Sequence, residues 1–583
     1  MTSTRPGPTR LAVYLVEGRP VPGWRVPRHV LTALRGLRPH VDLLVTGVST
    51  PVSDADRAAL GKVADLVLAE DGLTHAAVVE SLLDRVATYD QVLLTGSGWL
   101  GPVADVGAVL DRMADVAVWS LVPKASAPAY DPGLRLGPDP HWYVMPGRLA
   151  ASDELQRWRD SGRAADLVDS GRYAFPPGDY PSVDPVLMNL PSLLDDGLPY
   201  VPVASLVVDP LVADRLALVP ADGFERLRAT GVDMGEVWEA LLDAAPLRVL
   251  TANLGLVRVL GAPADPRVAS GLRTAAILHL YYEELTDDLM DRVDLIPGEV
   301  HVVVTTTDEQ RRASIEARLA ARSRQYPHEV RVLASNRGRD ISALLVGCAD
   351  VLRDTSYDVV VKLHGKRSLQ DDVNASSWFR RHLLDNLLPD AEAVADLYEW
   401  FGRDPQLGIA VPPVIHMYYP TMGHAWLGNR VIAESLAERM ALTVPLDEHT
   451  PVAPYGSMFV ARREALEPWL ALGLTWEDFP EASAYADGTL AHAVERMFCY
   501  VAAGTGRYTG TVLGRRTAGT EYGFLEYKLQ AVGSRMPAYA VDQLAFLDDG
   551  RVSWRALLQR RLPGVVDRLR PFYRRLRSLR RGA

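Results

Sequence analysis

The stretch YDVVVKLHGKRS, Tyr357–Ser368, decides the fold. Its run of β-branched residues reads as a strand buried on both faces, the kind found in parallel sheets covered by helices. The run ends with Lys362, His364 and Lys366 on alternate positions, and a strand points Lys362 and His364 the same way. Burying both without an anion is costly, so this strand end predicts an anion site, with Gly365 relieving crowding where a ligand would approach. A solvated strand end, with Lys366 and Arg367 in water, is the alternative.

Moving outward, the same cadence surrounds the stretch. TAAILHLYY from Thr274, HVVVTTT from His301, VRVLASN from Val330 and LGIAVPP from Leu407 read as strands, alternating with amphipathic segments such as DEQRRASIEARLAARSR. The first half shows a similar series: LAVYLV, VDLLVTGV from Val41, QVLLTGSG from Gln91 and ADVAVWSLV. Both halves therefore predict α/β layers with mostly parallel sheets. VATYDQVLLTGSGWLGPV and RDTSYDVVVKLHGKRS share a helix end, Tyr-Asp, an apolar strand and a polar tip, which suggests two copies of one unit whose tips differ in chemistry.

The expected organisation is an α/β domain over 1–210, a linker or small packing layer over 211–270, a second doubly wound domain over 271–545 and a basic helical tail over 546–583. A chain of 583 residues, 48% hydrophobic and 23% charged, has room for more than one core, because single domains typically hold roughly 100 to 200 residues. The net charge of -11 disfavours a nucleic-acid-binding surface while leaving room for a local basic pocket. Cys348 and Cys499 lie in apolar contexts and read as buried thiols of a reducing compartment.

MTSTRPGPTR lacks the apolar core of a secretory leader, and no apolar run approaches the roughly 20 residues that span a membrane. The expectation is a cytoplasmic protein that can sit peripherally on the inner face of the membrane. Residues 551–583 mix Trp554, Leu558, Phe572 and Tyr573 with many arginines, a composition suited to an anionic membrane surface. A helix docked on its own domain is the alternative, since Pro563 and Pro571 interrupt the periodicity.

In open parallel sheets ligands bind beyond the carboxyl ends of the strands, and the polar clusters of the second half fall there. Thr305, Thr306, Thr307 and Asp308 follow HVVV, and SNRGRD supplies Asn336, Arg339 and Asp340. Arginine offers a planar fork of donors to phosphate. Asp340 could orient Arg339, hold a ribose hydroxyl or cap the helix that follows. Gly456 and Ser457 precede the apolar MFVA, where backbone could face a sugar.

The segment EASAYADGTLAHAVERMF places His492, Glu495 and Arg496 along one helix ridge. A carboxylate is what deprotonating an acceptor hydroxyl needs. Glu481 and Asp487 are the candidates, with a helix cap or surface turn as the alternative for each; Glu495 and Arg496 could form an internal ion pair. No phosphate-binding GxxxxGK[ST], HExxH, GxSxG or cysteine pair for zinc occurs, and no Asp-x-Asp follows the second-half strands. No metal-ligating residues are assigned. The cationic triplet points instead to neutralising a leaving diphosphate by side chains, with Mg²⁺ or Mn²⁺ left open.

These stretches together, ILHLYYEEL, ASNRGRD, YDVVVKLHGKRS with WFRRHLLDNLL, LGIAVPP, GSMFVARREAL and EASAYADGTLAHAVERMF, resemble the rhamnan synthesis protein F family. The resemblance implies two tandem GT-A-like nucleotide-sugar transferase domains. It implies a glycosyltransferase moving a sugar such as rhamnose from a nucleoside-diphosphate donor to a lipid-linked or growing surface polysaccharide. It also implies that His279 and His364 are motif histidines, with Asp487 the better match for the base. His364 then joins Asp487 and Glu481 as catalytic. His279, Thr305, Asn336, Arg339, Asp340, Lys362, Lys366, Gly456, Ser457, His492 and Arg496 fall to donor binding. In the first half Gly96 stands where the family more often has an acid, which implies a degenerate copy. A noncatalytic carbohydrate-binding or scaffold protein is the rival reading. Phosphoryl transfer is the third, and it lacks a locatable nucleophile.

Overall fold

The computed structural model describes residues 8–18, 24–48, 53–71, 75–122, 142–148, 172–176, 179, 185–365, 373–481 and 487–536, with 540, 543, 544 and 547. These divide into two compact units, one within Met1–Pro210 and Val219–Ala518, the other within Leu211–Leu218 and Gly519–Ala583. The first unit holds both large sheets. The second is helical where described, and Tyr522, Phe524 and Tyr527 stand exposed on its longer helix. Residues 551–583 lie outside the described residues.

In the first sheet, β1 (Arg10–Glu17), β2 (Asp42–Val48), β3 (Leu66–Asp71) and β4 (Gln91–Gly96) run parallel. β5 (Trp99–Leu100) turns away from it, while β6 (Trp119–Ser120) and β7 (Tyr143–Met145) complete it antiparallel, in the order β3-β2-β1-β4-β7-β6. β8 (Val201–Pro202) pairs with β5 in a separate ribbon.

The second sheet contains β9 (Val257–Leu260), β10 (Arg273–His279), β11 (Glu299–Thr306), β12 (His328–Val332) and β13 (Val359–His364). β14 (Leu407–Val411), β15 (Phe459–Arg462) and β16 (Tyr508–Gly514) follow, and the order is β12-β11-β10-β13-β15-β14-β16-β9. Only β15 runs antiparallel to its neighbours. The stretch read as a linker or packing layer supplies several helices and the edge strand β9, which pairs parallel with β16.

The Val-rich strands are buried along their length because helices cover both faces; every residue of β13 is buried. Asp308, one of the polar residues after β11, spends its carboxylate capping the helix Glu309–Ala321, accepting from the Arg311 amide at 2.9 Å. The two sheets share one core. Trp238, on the helix Met234–Ala244, stacks on Tyr508 of β16 with ring centroids 4.2 Å apart. The same helix reaches the first sheet's helix Arg28–Leu37 through Glu239 to Arg28 at 2.9 Å and Glu236 to Thr32 at 2.9 Å.

The chain leaves β10 for β11 and β12 on one side and returns to β13 on the other. This reversal opens a crevice at the carboxyl ends of β10 and β13. Those ends are His279 and His364.

Candidate functional site

Register brings the first group together. His279 pairs with Thr305 on one side and His364 on the other, so the three side chains form a row on one face across β11, β10 and β13. Lys362 lies two residues before His364 and shares that face. All four are buried.

Lys362 is 1% exposed, and its ammonium meets an anion that the chain itself provides. It donates to Asp340 Oδ2 at 2.6 Å, to the Ser457 carbonyl at 2.9 Å and to Ser457 Oγ at 3.2 Å. Ser457 Oγ also donates to Asp340. Three donors with three partners leave no N–H of Lys362 for a ligand phosphate. The charge that the sequence reading gives to a diphosphate is balanced internally.

Asp340 sits in the first turn of the helix Arg339–Leu345, whose N-cap is Gly338, so it is not the cap. Burial alone would push its carboxyl up. The nearby His364 and Lys362 charges, with hydrogen bonds from Lys362 and Ser457, outweigh that and hold it well below the usual range. Its second oxygen, Oδ1, lies 3.7 Å from His364 Nδ1. His364 Nε2 donates to the Gly456 carbonyl at 2.8 Å.

The tautomer of His279 follows from its partner. Thr305 Oγ1 donates to the Leu278 carbonyl at 3.3 Å, because a carbonyl only accepts, and so it receives the His279 Nδ1–H at 3.0 Å. Nε2 is left as an acceptor. Burial, opposed by Asp340 and aided by Lys362, pulls this imidazole down to about 4, so it is neutral near pH 7.

The turn before β15 supplies the backbone of the site. Gly456 and Ser457 both adopt left-handed conformations, with φ of 82° and 53°. At φ 82° a residue with a Cβ would be strained at position 456. Arg339, exposed at the mouth, is also left-handed at φ 52°, and Asn336 accepts from its amide at 3.2 Å.

Each candidate base is held by partners of its own. Glu481 is mostly exposed and pairs with Arg337 at 2.6 Å, while Arg337 Nε donates to the Phe479 carbonyl at 2.9 Å. Phe479 lies against Gly338, where a Cβ would meet its ring at 2.6 Å. Glu481 thus helps hold Phe479 against the 335–339 turn. Asp487 is exposed at the surface, and its oxygens accept from the Gly428 amide at 2.9 Å and from Asn429 Nδ2 at 2.8 Å. Asn429 is fully buried and receives the Gly488 amide in return at 3.0 Å, so it fixes the carboxylate in place.

His492 lies 3.3 Å from Thr489 Oγ1 on the helix Leu490–Ala503. Arg496, further along that helix, pairs with Glu495 and donates to the Ala425 carbonyl at 3.3 Å. Lys366 lies outside the described residues. Sequence reasoning missed Asn429 and Gly428 as the hold on Asp487, and Glu495 as a partner of the Gly456 amide at 3.1 Å.

A cleft of about 570 Å³ at the opposite edge, beside the amino ends of β14 and β16, is lined by Arg228, Arg258, Arg403 and Trp400. Its guanidiniums face the protein's own carboxylates: Arg258 pairs with buried Asp396, Arg403 with Glu399 at 2.6 Å, and Arg228 lies 4.0 Å from Asp404. Among the described residues no group of three His, Cys, Asp or Glu side chains is placed to hold a metal ion. Among them, too, no helix is long and apolar enough to cross a membrane.

The fold and site define an α/β protein with a buried ionic cluster at a strand-reversal point. The family model for rhamnan synthesis protein F matches residues 178–506, more than half of the chain, and the protein belongs to that family. Two curated relatives, both called uncharacterized protein WxcX and from two strains of Xanthomonas campestris pv. campestris, are 32% identical over 237 residues. That match covers 40% of this chain and 32% of theirs, so the chain spans about a third of the relatives' length. Among solved structures, apo GlyE, a glycosyltransferase of Streptococcus pneumoniae TIGR4, aligns at 12% identity over 64% of this chain and 88% of that one, with a TM-score of 0.21. A second GlyE structure aligns at 11% over 64% and 90%, with a TM-score of 0.20. Scores this low add nothing to the topology described above.

Proposed function

We propose that the protein is a glycosyltransferase with a GT-A-like second sheet. It moves a sugar, with rhamnose the candidate suggested by the family's name, from a nucleoside diphosphate to a hydroxyl of a lipid-linked or growing surface polysaccharide. The observation that carries this reading is the row Thr305–His279–His364 at the reversal point, backed by the Lys362–Asp340–Ser457 cluster. A row of polar side chains lies buried at the strand ends, and the crevice of a doubly wound sheet is where nucleotides bind.

In this reading the donor lies across the carboxyl edge. His279 Nε2 accepts a hydrogen bond from a ligand hydroxyl or ring N–H, and Arg339 at the mouth faces the diphosphate. Lys362 and Asp340 act from behind by fixing His364 and Ser457. In the transfer step the acceptor oxygen forms a bond to the anomeric carbon as the carbon–oxygen bond to phosphate breaks. The electron pair leaves with the diphosphate, and Asp487 takes the acceptor proton in an inverting displacement. Peripheral attachment at the cytosolic face through residues 551–583 belongs to the same proposal.

The test is binding and turnover by purified protein against a panel of nucleoside-diphosphate sugars, with EDTA and with Mg²⁺ or Mn²⁺. Asp487→Asn is expected to lower turnover by roughly 10² to 10⁴-fold while donor binding persists. A second reading, a noncatalytic carbohydrate-binding protein of polysaccharide assembly, draws on the anchoring of both Asp487 oxygens by Gly428 and Asn429. Donor binding absent under every condition would favour it.

A further inference from the structure

We propose that Glu495 is a positioning residue of the carboxyl-edge site: it fixes the Gly456–Ser457 turn whose two carbonyls hold His364 and Lys362. Its catalytic consequence rests on the transferase reading; its geometry does not.

The turn is strained. A left-handed conformation is costly for a residue with a Cβ, and Ser457 adopts one directly after left-handed Gly456. Such a conformation persists only where the surroundings over-determine it. Within the turn, the Ser457 amide donates to the Pro454 carbonyl at 2.6 Å. Its outward carbonyls are taken by the site itself, with Gly456 O receiving His364 and Ser457 O receiving Lys362. Ser457 Oγ is held by Asp340 and Lys362, and the Gly456 amide is held separately, donating to Glu495 Oε2 at 3.1 Å.

That hold is stiff for two reasons. Glu495 projects from the helix Leu490–Ala503, which is buried over most of its length. Its other oxygen pairs with buried Arg496, which donates to the Ala425 carbonyl and lies over the Tyr455 ring at 5.2 Å. A hydrogen bond to a carboxylate is stronger than one to a neutral acceptor. Without it Gly456, the residue with the widest conformational freedom, can change its backbone dihedrals and shift the two peptides that follow, whose carbonyls receive His364 and Lys362. Glu495 reaches His364 and Lys362 through the turn, whose carbonyls receive both donors.

The experiment compares wild type with Glu495→Ala, Glu495→Gln and Glu495→Asp. Donor kinetics are read together with the imidazole NMR signals of isotopically labelled histidines, His364 being assigned by its loss in His364→Gln. In Glu495→Ala the His364 signals are expected to move, and kcat/KM to fall by roughly 100-fold, the scale of an ångström-sized misplacement. Glutamine keeps an acceptor oxygen, so Glu495→Gln should leave the His364 signals near their wild-type positions.

A lowered melting temperature with unmoved His364 signals in Glu495→Ala would reduce Glu495 to a structural ion pair and overturn the proposal. If Glu495→Ala does not fold, Glu495→Asp decides by the same signals, since the shorter side chain keeps the charge beside Arg496 but withdraws from the Gly456 amide. If wild type turns over no nucleotide sugar, the transferase reading fails alone, and the imidazole signals still decide the role of Glu495.

Discussion

The two large sheets place the same backbone in the same position and put different chemistry on it. β4 and β13 each begin after Tyr-Asp, and each pairs parallel with the first strand of its own sheet's β1 or β10 core. Asp90 accepts from the Thr9 amide at 2.9 Å, and Asp358 accepts from the Arg273 amide at 2.8 Å. At the far end, Ser97 donates to the Leu15 carbonyl at 2.9 Å, and Gly365 to the His279 carbonyl at 2.9 Å. Aligned on these contacts, Leu94 stands for Lys362, Gly96 for His364 and Leu15 for His279. The frame is common to both halves; the candidate site is made by three side-chain exchanges and by Asp340, which makes one of them tolerable. A buried lysine demands a carboxylate, and a buried leucine does not.

The sharpest way to break this comparison is to remove that carboxylate. Asp340→Asn leaves the Lys362 ammonium buried without a counter-charge and should destabilise the protein by about 3–5 kcal/mol in denaturant unfolding. Replacing both partners by apolar residues, Lys362→Met with Asp340→Leu, makes the second sheet resemble the first and should recover most of that loss, while the site's polar chemistry disappears. Leu94→Lys makes the reverse change, imposing a buried charge on the first sheet, and should cost a similar amount. A loss below about 1 kcal/mol for Asp340→Asn would mean that the pair is not what lets a lysine sit in β13.

Why the frame was legible in the sequence and the cluster was not follows from how far each signal reaches. Val359–Val361 announce a buried strand by themselves, and the paired Tyr-Asp segments announce the repeat. Both are local patterns. The counter-ion of Lys362 lies 22 positions upstream and its serine partner 95 downstream, joined only by sheet register and a turn. The Gly456 turn could be suspected from its glycine, whereas the left-handed conformation of Ser457 leaves no mark in composition. Asn429 holds Asp487 from 58 positions away, again without a local signature. In β9, within the stretch read as a linker or small packing layer, Val257 and Val259 are half exposed at a sheet edge.

His279 gives the next largest expected effect. Its imidazole titrates near 6.5 when unfolded and about 4 when folded, so between those values the unfolded chain binds the extra proton. Stability attributed to neutral His279 is therefore complete above about pH 6.5 and lost as the pH falls toward 4, by at most about 3 kcal/mol. His279→Gln should flatten that limb of the stability–pH curve. Leu15, its counterpart in the first sheet, contributes no such limb. An unchanged acid limb in the variant would show that the row at the reversal point is not the source of the pH dependence.

Gly96 provides the smallest of these tests and asks whether the first sheet could accept the second sheet's chemistry at all. A Cβ on Gly96 would lie 2.7 Å from the Leu15 carbonyl oxygen, and the Ser97 amide already binds that same oxygen. The β1 backbone would have to shift for any side chain to fit, and Gly96→Ala is expected to cost roughly 1–3 kcal/mol as overpacking. His364 carries a full imidazole at the matching place because the Gly456 carbonyl receives it. The first sheet's tip is thus closed by backbone where the second sheet's tip is open to side chains. If Gly96→Ala unfolds within about 0.5 kcal/mol of wild type, that closure is soft, and the difference between the halves lies in their side chains alone.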